Sequence, residues 1–354
     1  MTIQDLLQIT IQQNASDIHI SAYHMPTLRV HGDLKPVPNS QVLTPEEAEE
    51  LIMPLLTQEQ KELLSSNKEL DFAFSIGETA RFRVNAYYQK GTLSAALRML
   101  PMKIRTIEEL QLPGILHKFT ELMQGFILVV GPTGHGKSTT LAAMINEINL
   151  NRPCHILTIE DPIEYIYPRA KAIVSQRELH FDTHAWDIAL RSALREDPDV
   201  VLIGEMRDYE TIQSAITIAE TGHLVFATLH TNSAAQAVGR IVDVYPENQQ
   251  NQARLQLAST LEGIISQRLI PTISGERAVV NEILIANSAI KTLIREGKTH
   301  LIDNVIQTSS DLGMETLESS ISKKVRAGIV SLQNAQLYSN RIKELNRLLG
   351  VGKV

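Results

Sequence analysis

The stretch GPTGHGKSTT, Gly131 to Thr140, limits what this chain can fold into more than any other. Gly131, Gly136, Lys137 and Ser138 satisfy the pattern G-x-x-x-x-G-K-[ST]. The pattern lies between FILVV, an apolar run of strand length, and TTLAAMINEI, which reads as a helix. Glycines in such a loop let backbone N–H groups approach phosphate oxygens, and the helix N-terminus adds partial positive charge. Gly131, Pro132, Thr133, Gly134, His135, Gly136, Lys137, Ser138 and Thr139 are therefore the expected cradle for Mg2+-ATP. Lys137 is expected to reach the β- and γ-phosphates, and Ser138 to bind Mg2+. The plainer reading, a Gly-rich turn that merely opens a helix, is outweighed by the strand before it and the helix after it.

Strand–loop–helix units repeat around this loop. FILVV, HILTI, DVVLI and HLVFATL are near-continuous apolar runs separated by helical patterns. Strands buried on both faces look like this, so a largely parallel sheet in an α/β domain is expected. Ile212, Ala215, Ile216 and Ala219 follow helical spacing, with Gly222 placed to stop that helix. From Pro246 onward the chain reads as mostly helical, with a strand near AVVNEILI.

The first hundred residues read differently, as mixed α and β. ITIQQNAS suggests a helix, DIHIS a strand, and TLRVHGDLKPV a hairpin around His31-Gly32-Asp33. Thr44 with Glu47, and Thr57 with Gln60, form capping boxes, and Pro54 is expected to end or kink the helix between them. In RFRVNAYYQKGTLSAALRML, Phe82, Val84 and Ala86 share one face, and a turn is expected at Gln89 to Gly91. PMKIRT is the expected linker, and Thr106 with Glu109 make another capping box after it.

Binding alone is not hydrolysis, which needs groups to orient water and hold a metal. Glu160, Asp161 and Glu164 follow HILTI, at the C-terminal end of a strand, where ligands of open α/β sheets gather. Glu205 ends the run DVVLIG like a Walker B strand, with Gly204 where many P-loop ATPases keep Asp. For a lone carboxylate the better reading is a solvated loop; two clusters beside a cradle shift it towards function. His230 closes HLVFATLH, either as a γ-phosphate sensor or as a satisfied structural histidine. His223, just past Gly222, reads as a helix C-terminal cation or an interface residue.

Composition removes several classes. The 354 residues have room for two domains, with 43% hydrophobic and 21% charged, a globular balance. A formal charge of −7 argues against a dedicated nucleic-acid binder. The single Cys154 excludes an internal disulfide and a multi-thiolate zinc site, and fits a reducing cytoplasm. MTIQDLLQIT carries no Lys or Arg and cannot open a secretory leader, and no apolar run is long enough for a transmembrane segment. Any membrane role is expected through a partner or surface docking.

Taken together, GPTGHGKSTTLAAM, TIEDPIEY, SALREDPDVVLIGEMRD and AETGHLVFATLHT make the sequence resemble the secretion-superfamily ATPases. It is most similar to the type IV pilus retraction (PilT-like) ATPases, from ASDIHIS to LGMETL. The resemblance implies an α/β chain with an N-terminal PAS-like α+β domain (1–100), a linker (101–106) and a RecA-like P-loop NTPase domain with a mostly helical C-terminal region (107–354). It implies a homohexameric ring with ATP in the inter-domain and inter-subunit cleft. Carried over residue by residue, Glu164 becomes the base or water-positioning group and Glu160 a supporting carboxylate. Glu205 acts on Mg2+, and His223 and His230 form a histidine box. Arg83, Arg98 and Arg105, which by themselves read as strand-surface or linker charges, become the arginines that reach nucleotide phosphates.

The implied function is a motor for pilus retraction and twitching motility, peripheral at the cytoplasmic side of the inner membrane. Its implied partners are an inner-membrane pilus platform protein and a paralogous retraction ATPase, with no specific nucleic acid. Rivals are an accessory PilU-like or type IV secretion ATPase, a DNA translocase, and a nucleotide-binding module without turnover. Three departures stand out: His135 replaces the usual Ser, Lys291 replaces Arg in AIKTLIRE, and neither an extra N-terminal domain nor a four-cysteine module is expected here, which favours retraction over assembly.

Overall fold

The computed structural model describes residues 1–351 apart from His31, Glu78, Pro101 and Met102. The chain divides into two compact units: Met1–Lys103 with Pro162–Ile166, and Ile104–Asp161 with Tyr167–Val354. Part of the expected linker, Pro101 and Met102, lies outside the described residues.

The first unit is a six-stranded antiparallel sheet with three helices. Its strands are β1 (Asp17–Ser21), β2 (Thr27–Val30), β3 (Asp33–Pro36), β4 (Glu69–Ile76), β5 (Ala80–Gln89) and β6 (Thr92–Leu100), in the order β3-β2-β1-β6-β5-β4. Alternation drives it: Phe82, Val84 and Ala86 of β5 are buried, and β5 turns into β6 through Lys90-Gly91 as the sequence suggests. β2 and β3 form the expected hairpin, although His31 at its turn is outside the described residues. Helix α1 (Ile3–Gln12) begins earlier than ITIQQNAS suggests, because Thr2 and Asp5 cap it reciprocally. Helices α2 (Pro45–Ile52) and α3 (Gln58–Asn67) start at the capping boxes of Thr44 and Thr57, and Pro54 lies in a short 3-10 turn after α2.

The second unit is a seven-stranded sheet flanked by helices. Its strands are β7 (Gly125–Val130), β8 (His155–Glu160), β9 (Ile173–Glu178), β10 (Val200–Ile203), β11 (Leu224–Leu229), β12 (Leu261–Pro271) and β13 (Arg277–Ile285). The order is β13-β12-β7-β11-β10-β8-β9, parallel except for the β12–β13 pair. The four apolar runs of the sequence form the centre, β7-β11-β10-β8, buried almost throughout. Helix α4 (Ile115–Thr120) precedes β7, and the crossover helices are α5 (Lys137–Asn151), α6 (Trp186–Ala193), α7 (Tyr209–Glu220), α8 (Ala234–Asp243) and α9 (Gln250–Thr260). The capping box expected at Thr106 is present, with Thr106 and Glu109 bonding reciprocally, and what it opens is a turn.

The expectation of a mostly helical chain after Pro246 needs a second correction, since β12 intervenes as an eleven-residue strand before β13. Helices dominate only from Ser288: α10 (Ser288–Arg295), α11 (Ile302–Thr308), α12 (Leu317–Arg326), α13 (Leu332–Tyr338) and α14 (Ile342–Leu349). Leu317, Ile321, Ala335 and Leu345 of these helices pack on Ile270 and Val280 of the β12–β13 hairpin, making a separate small core.

Candidate functional site

The loop between β7 and α5 is the Gly-rich cradle, with Gly136 as the residue that opens α5. Pro132, Thr133, Gly134 and Thr139 line it with partly or fully exposed surface, as Ser138 does in the first turn of α5. Lys137 is buried. Its Nζ donates to the carbonyls of Gly131 (2.8 Å) and Pro132 (3.1 Å), so the ammonium lies folded inside the loop.

Parallel strands bring two further groups towards this loop. His230 follows β11, the neighbour of β7, and Glu205 follows β10, the strand beyond it, both at C-terminal strand ends. His230 Nδ1 is 3.3 Å from Lys137 Nζ and 3.3 Å from Thr133 Oγ1, and its Nε2 is 3.0 Å from Glu205 Oε1. An ammonium can only donate, so Nδ1 accepts, the ring proton sits on Nε2, and it is donated to Glu205. Burial and the charge of Lys137 hold His230 below its ordinary value against the pull of Glu205, which keeps the ring neutral at pH 7. Burial pushes Glu205 upward, but the hydrogen bond from Arg207 and the neighbouring His230, Arg207 and Lys137 outweigh it. Its carboxylate is thus ionised, and Arg207 Nη2 donates to Glu205 Oε2 at 2.8 Å.

Gly204 has a steric cause. A Cβ there would stand 3.3 Å from the Glu160 Cα and 3.3 Å from the Ile159 carbonyl, so the Asp of other P-loop proteins would press on β8. Glu160, at the end of β8, is buried and accepts from Thr158 Oγ1 at 2.8 Å. Ser138 in the first turn of α5 and the ionised Glu205 are oxygen donors of the kind Mg2+ takes. Among the described residues no group of three or more His, Cys, Asp or Glu is arranged to hold a metal by itself.

Other expected residues stand elsewhere. Glu164 lies in Pro162–Ile166, which belongs to the first unit although the cradle belongs to the second. His223 precedes β11, at the opposite end of that strand from His230, and its Nδ1 donates to the Ile218 carbonyl at 2.9 Å. It therefore serves the end of α7 and stays away from the cradle. Arg83 and Arg98 are cross-strand partners on β5 and β6 of the first unit. Arg98 Nε donates to Asp17 Oδ1 at 2.8 Å, and Arg83 pairs loosely with Asp71 at 3.9 Å. Arg105 is exposed just before the Thr106 turn.

Two site residues escape the sequence. Arg207 sits in the quoted GEMRD stretch, where its spacing of two from Glu205 was the available signal. Gln267 of β12 has no local signal; its side chain binds the loop from 127 and 132 residues away. His135, the departure from the usual Ser, also bonds to β12, accepting from Leu269 N–H at 3.0 Å.

A model of the family described as Type II/IV secretion system protein matches residues 1–276. The chain is 45% identical over 336 residues to Type IV pilus retractation ATPase PilT of Pseudomonas aeruginosa, spanning 95% of this chain and 97% of that one. It is 37% identical over 353 residues to Type IV pilus ATPase PilU of the same organism, spanning 99% and 92%. A crystal structure of the pilus retraction motor PilT with bound ADP superposes with a TM-score of 0.91 at 43% identity, spanning 98% and 99% of the two chains.

Proposed function

The chain belongs to the Type II/IV secretion system protein family, and from that premise we propose that it is an ATP-hydrolysing motor that powers type IV pilus retraction. The observation that carries this reading is the Lys137–His230–Glu205 chain at the C-terminal ends of β7, β11 and β10, beside a complete phosphate loop. In this reading the first unit is PAS-like, the second is RecA-like, and six copies close into a ring whose clefts take ATP. The ring works at the cytoplasmic face of the inner membrane, docked on a platform protein and acting beside a paralogue. No helix among the described residues is long and apolar enough to cross a membrane.

Phosphoryl transfer asks for positioning and charge stabilisation more than covalent chemistry. Loop N–H groups hold the phosphates, and Lys137 exchanges the Gly131 and Pro132 carbonyls for phosphate oxygens. His230, neutral and donating to Glu205, keeps Nδ1 facing the Lys137 ammonium. Ser138 and the ionised Glu205 suit Mg2+, which when bound supplies neutralisation of charge on the phosphate oxygens. Glu164 positions or deprotonates the attacking water, Glu160 supports it, and Arg83, Arg98 and Arg105 compensate developing charge. Because Glu164 is carried by the first unit, turnover in this reading depends on how the two units are set.

Glu164→Gln is expected to bind ATP as the wild type does and to lose nearly all phosphate release; undiminished release removes Glu164 from this role. In the host, deleting the gene is expected to leave surface pili and abolish twitching. Loss of the pili themselves would mean assembly. Intact twitching would assign the accessory reading, which the similarity to the PilU protein supports.

A further inference from the structure

β12 runs past the end of its neighbour. Its parallel pairing with β7 stops at Ser266–Val130, where β7 gives way to the loop. From there Gln267 and Leu269 face loop atoms in place of a strand. The Gln267 side chain is almost fully buried; its Nε2 donates to the His135 carbonyl at 2.9 Å, and its Oε1 accepts from Thr140 Oγ1 at 2.7 Å. The Leu269 N–H, which would otherwise be an orphan of the strand edge, donates to His135 Nδ1 at 3.0 Å.

The packing is as close as the bonding. A Cβ on Gly131 would stand 2.3 Å from the Gln267 carbonyl oxygen, and one on Gly136 would stand 3.0 Å from Gln267 Nε2. β12 thus requires the glycine at 131, where its backbone leaves no room for a Cβ, and crowds the one at 136.

We propose that Gln267 and His135 are positioning residues for the nucleotide site: they clamp the phosphate loop and the first turn of α5 onto β12, presetting the loop for a triphosphate. The proposal deepens the function given above and rests on it. A cradle binds through several N–H groups at once, so it gains from being fixed before the ligand arrives. One amide side chain fixes two points of it, residues 135 and 140, on either side of Lys137 and Ser138. His135 adds a third tie, accepting from the Leu269 N–H. Burial, with the charges of Arg268, Lys137 and Arg277, holds His135 below its ordinary value, which keeps Nδ1 free to accept.

The test uses the full-length protein. Gln267→Leu keeps the volume and removes both bonds; His135→Ala removes the imidazole acceptor, and His135→Asn puts an amide oxygen where Nδ1 stood. Three quantities are read for each: the Kd for ADP, the KM and kcat for ATP, and hydrogen exchange of amides 131–136 in nucleotide-free protein. Gln267→Leu is expected to raise Kd and KM about tenfold, with kcat changed less than threefold, and to speed exchange in the loop. His135→Ala is expected to raise both several-fold, and His135→Asn to recover most of that loss. Folded variants with wild-type Kd, KM and exchange overturn the clamp. If Gln267→Leu does not fold, the His135 pair decides: equal constants for Ala and Asn overturn it. A wild-type protein that neither binds nor hydrolyses ATP fails the underlying function instead, while the exchange arm still reports on the clamp.

Discussion

Protonation decides what His230 can do. With its proton on Nε2 the ring bridges an ammonium and a carboxylate, two groups that it holds in fixed relation. His230→Ala is expected to leave ATP binding within a few-fold and to lower kcat by about 100-fold, the scale of losing one preorganised polar group, in a phosphate-release assay. A second buried group gives a pH prediction. Burial, helped by Asp303 and Glu318, pushes Glu282 from 4.5 up to about 7, while its Oε1 accepts the Ala234 N–H at the start of α8. Between those values the folded protein binds more protons than the unfolded chain, so this group's contribution to stability is full below 4.5 and is lost as pH rises through about 7. Glu282→Gln keeps the acceptor and cannot ionise. In urea melts it is expected to gain on the wild type with rising pH, from little at about pH 5 to as much as about 3 kcal/mol at pH 8; parallel curves would contradict the burial argument. The residues of the cradle were legible because loop, lysine and serine are adjacent in sequence. Glu282 and Gln267 were not, since what gives each its meaning is a neighbour 48 or more residues away.

Elements were legible where one signal sufficed. β7, β8, β10 and β11 are central and buried on both faces, so hydrophobicity alone marks them. β9 is an edge strand of mixed exposure, and IVSQRE carries no such mark. β12 is central yet reads poorly, because Glu262, Ser266, Gln267 and Arg268 interrupt its apolar run. Two of them find particular partners: the loop for Gln267, and Tyr338 and Asn340 for the two terminal nitrogens of Arg268. Gly263, another interruption, is where β12 meets a ring: a Cβ there would lie 2.4 Å from Phe119 Cζ. Gly263→Ala is therefore expected to destabilise the protein by about 1–3 kcal/mol through overpacking. Adding Phe119→Leu should restore part of the loss, as read by thermal melts; strict additivity of the two changes would show that the ring is not the obstacle.

At the scale of the whole molecule, net charge and the arginines of the first unit make the predictions. A chain of net charge −7 has no excess of cationic side chains to displace the counterions of DNA, so duplex DNA at low salt is expected to leave ATP turnover unchanged. If Arg83 and Arg98 act on nucleotide, replacing either with Ala should lower kcat at least tenfold while ADP still binds. Equal kcat would return both to the role of surface ion pairs with Asp71 and Asp17. The two-part organisation was visible in the change of strand character along the chain, but the return of Pro162–Ile166 to the first unit was not, since five residues carry no periodicity to read. That return has a practical consequence. The backbone passes the boundary three times, so no single cut yields two self-sufficient halves: a fragment ending at Lys103 lacks a piece of its own packing, and the complementary fragment carries that piece with nothing to fold against.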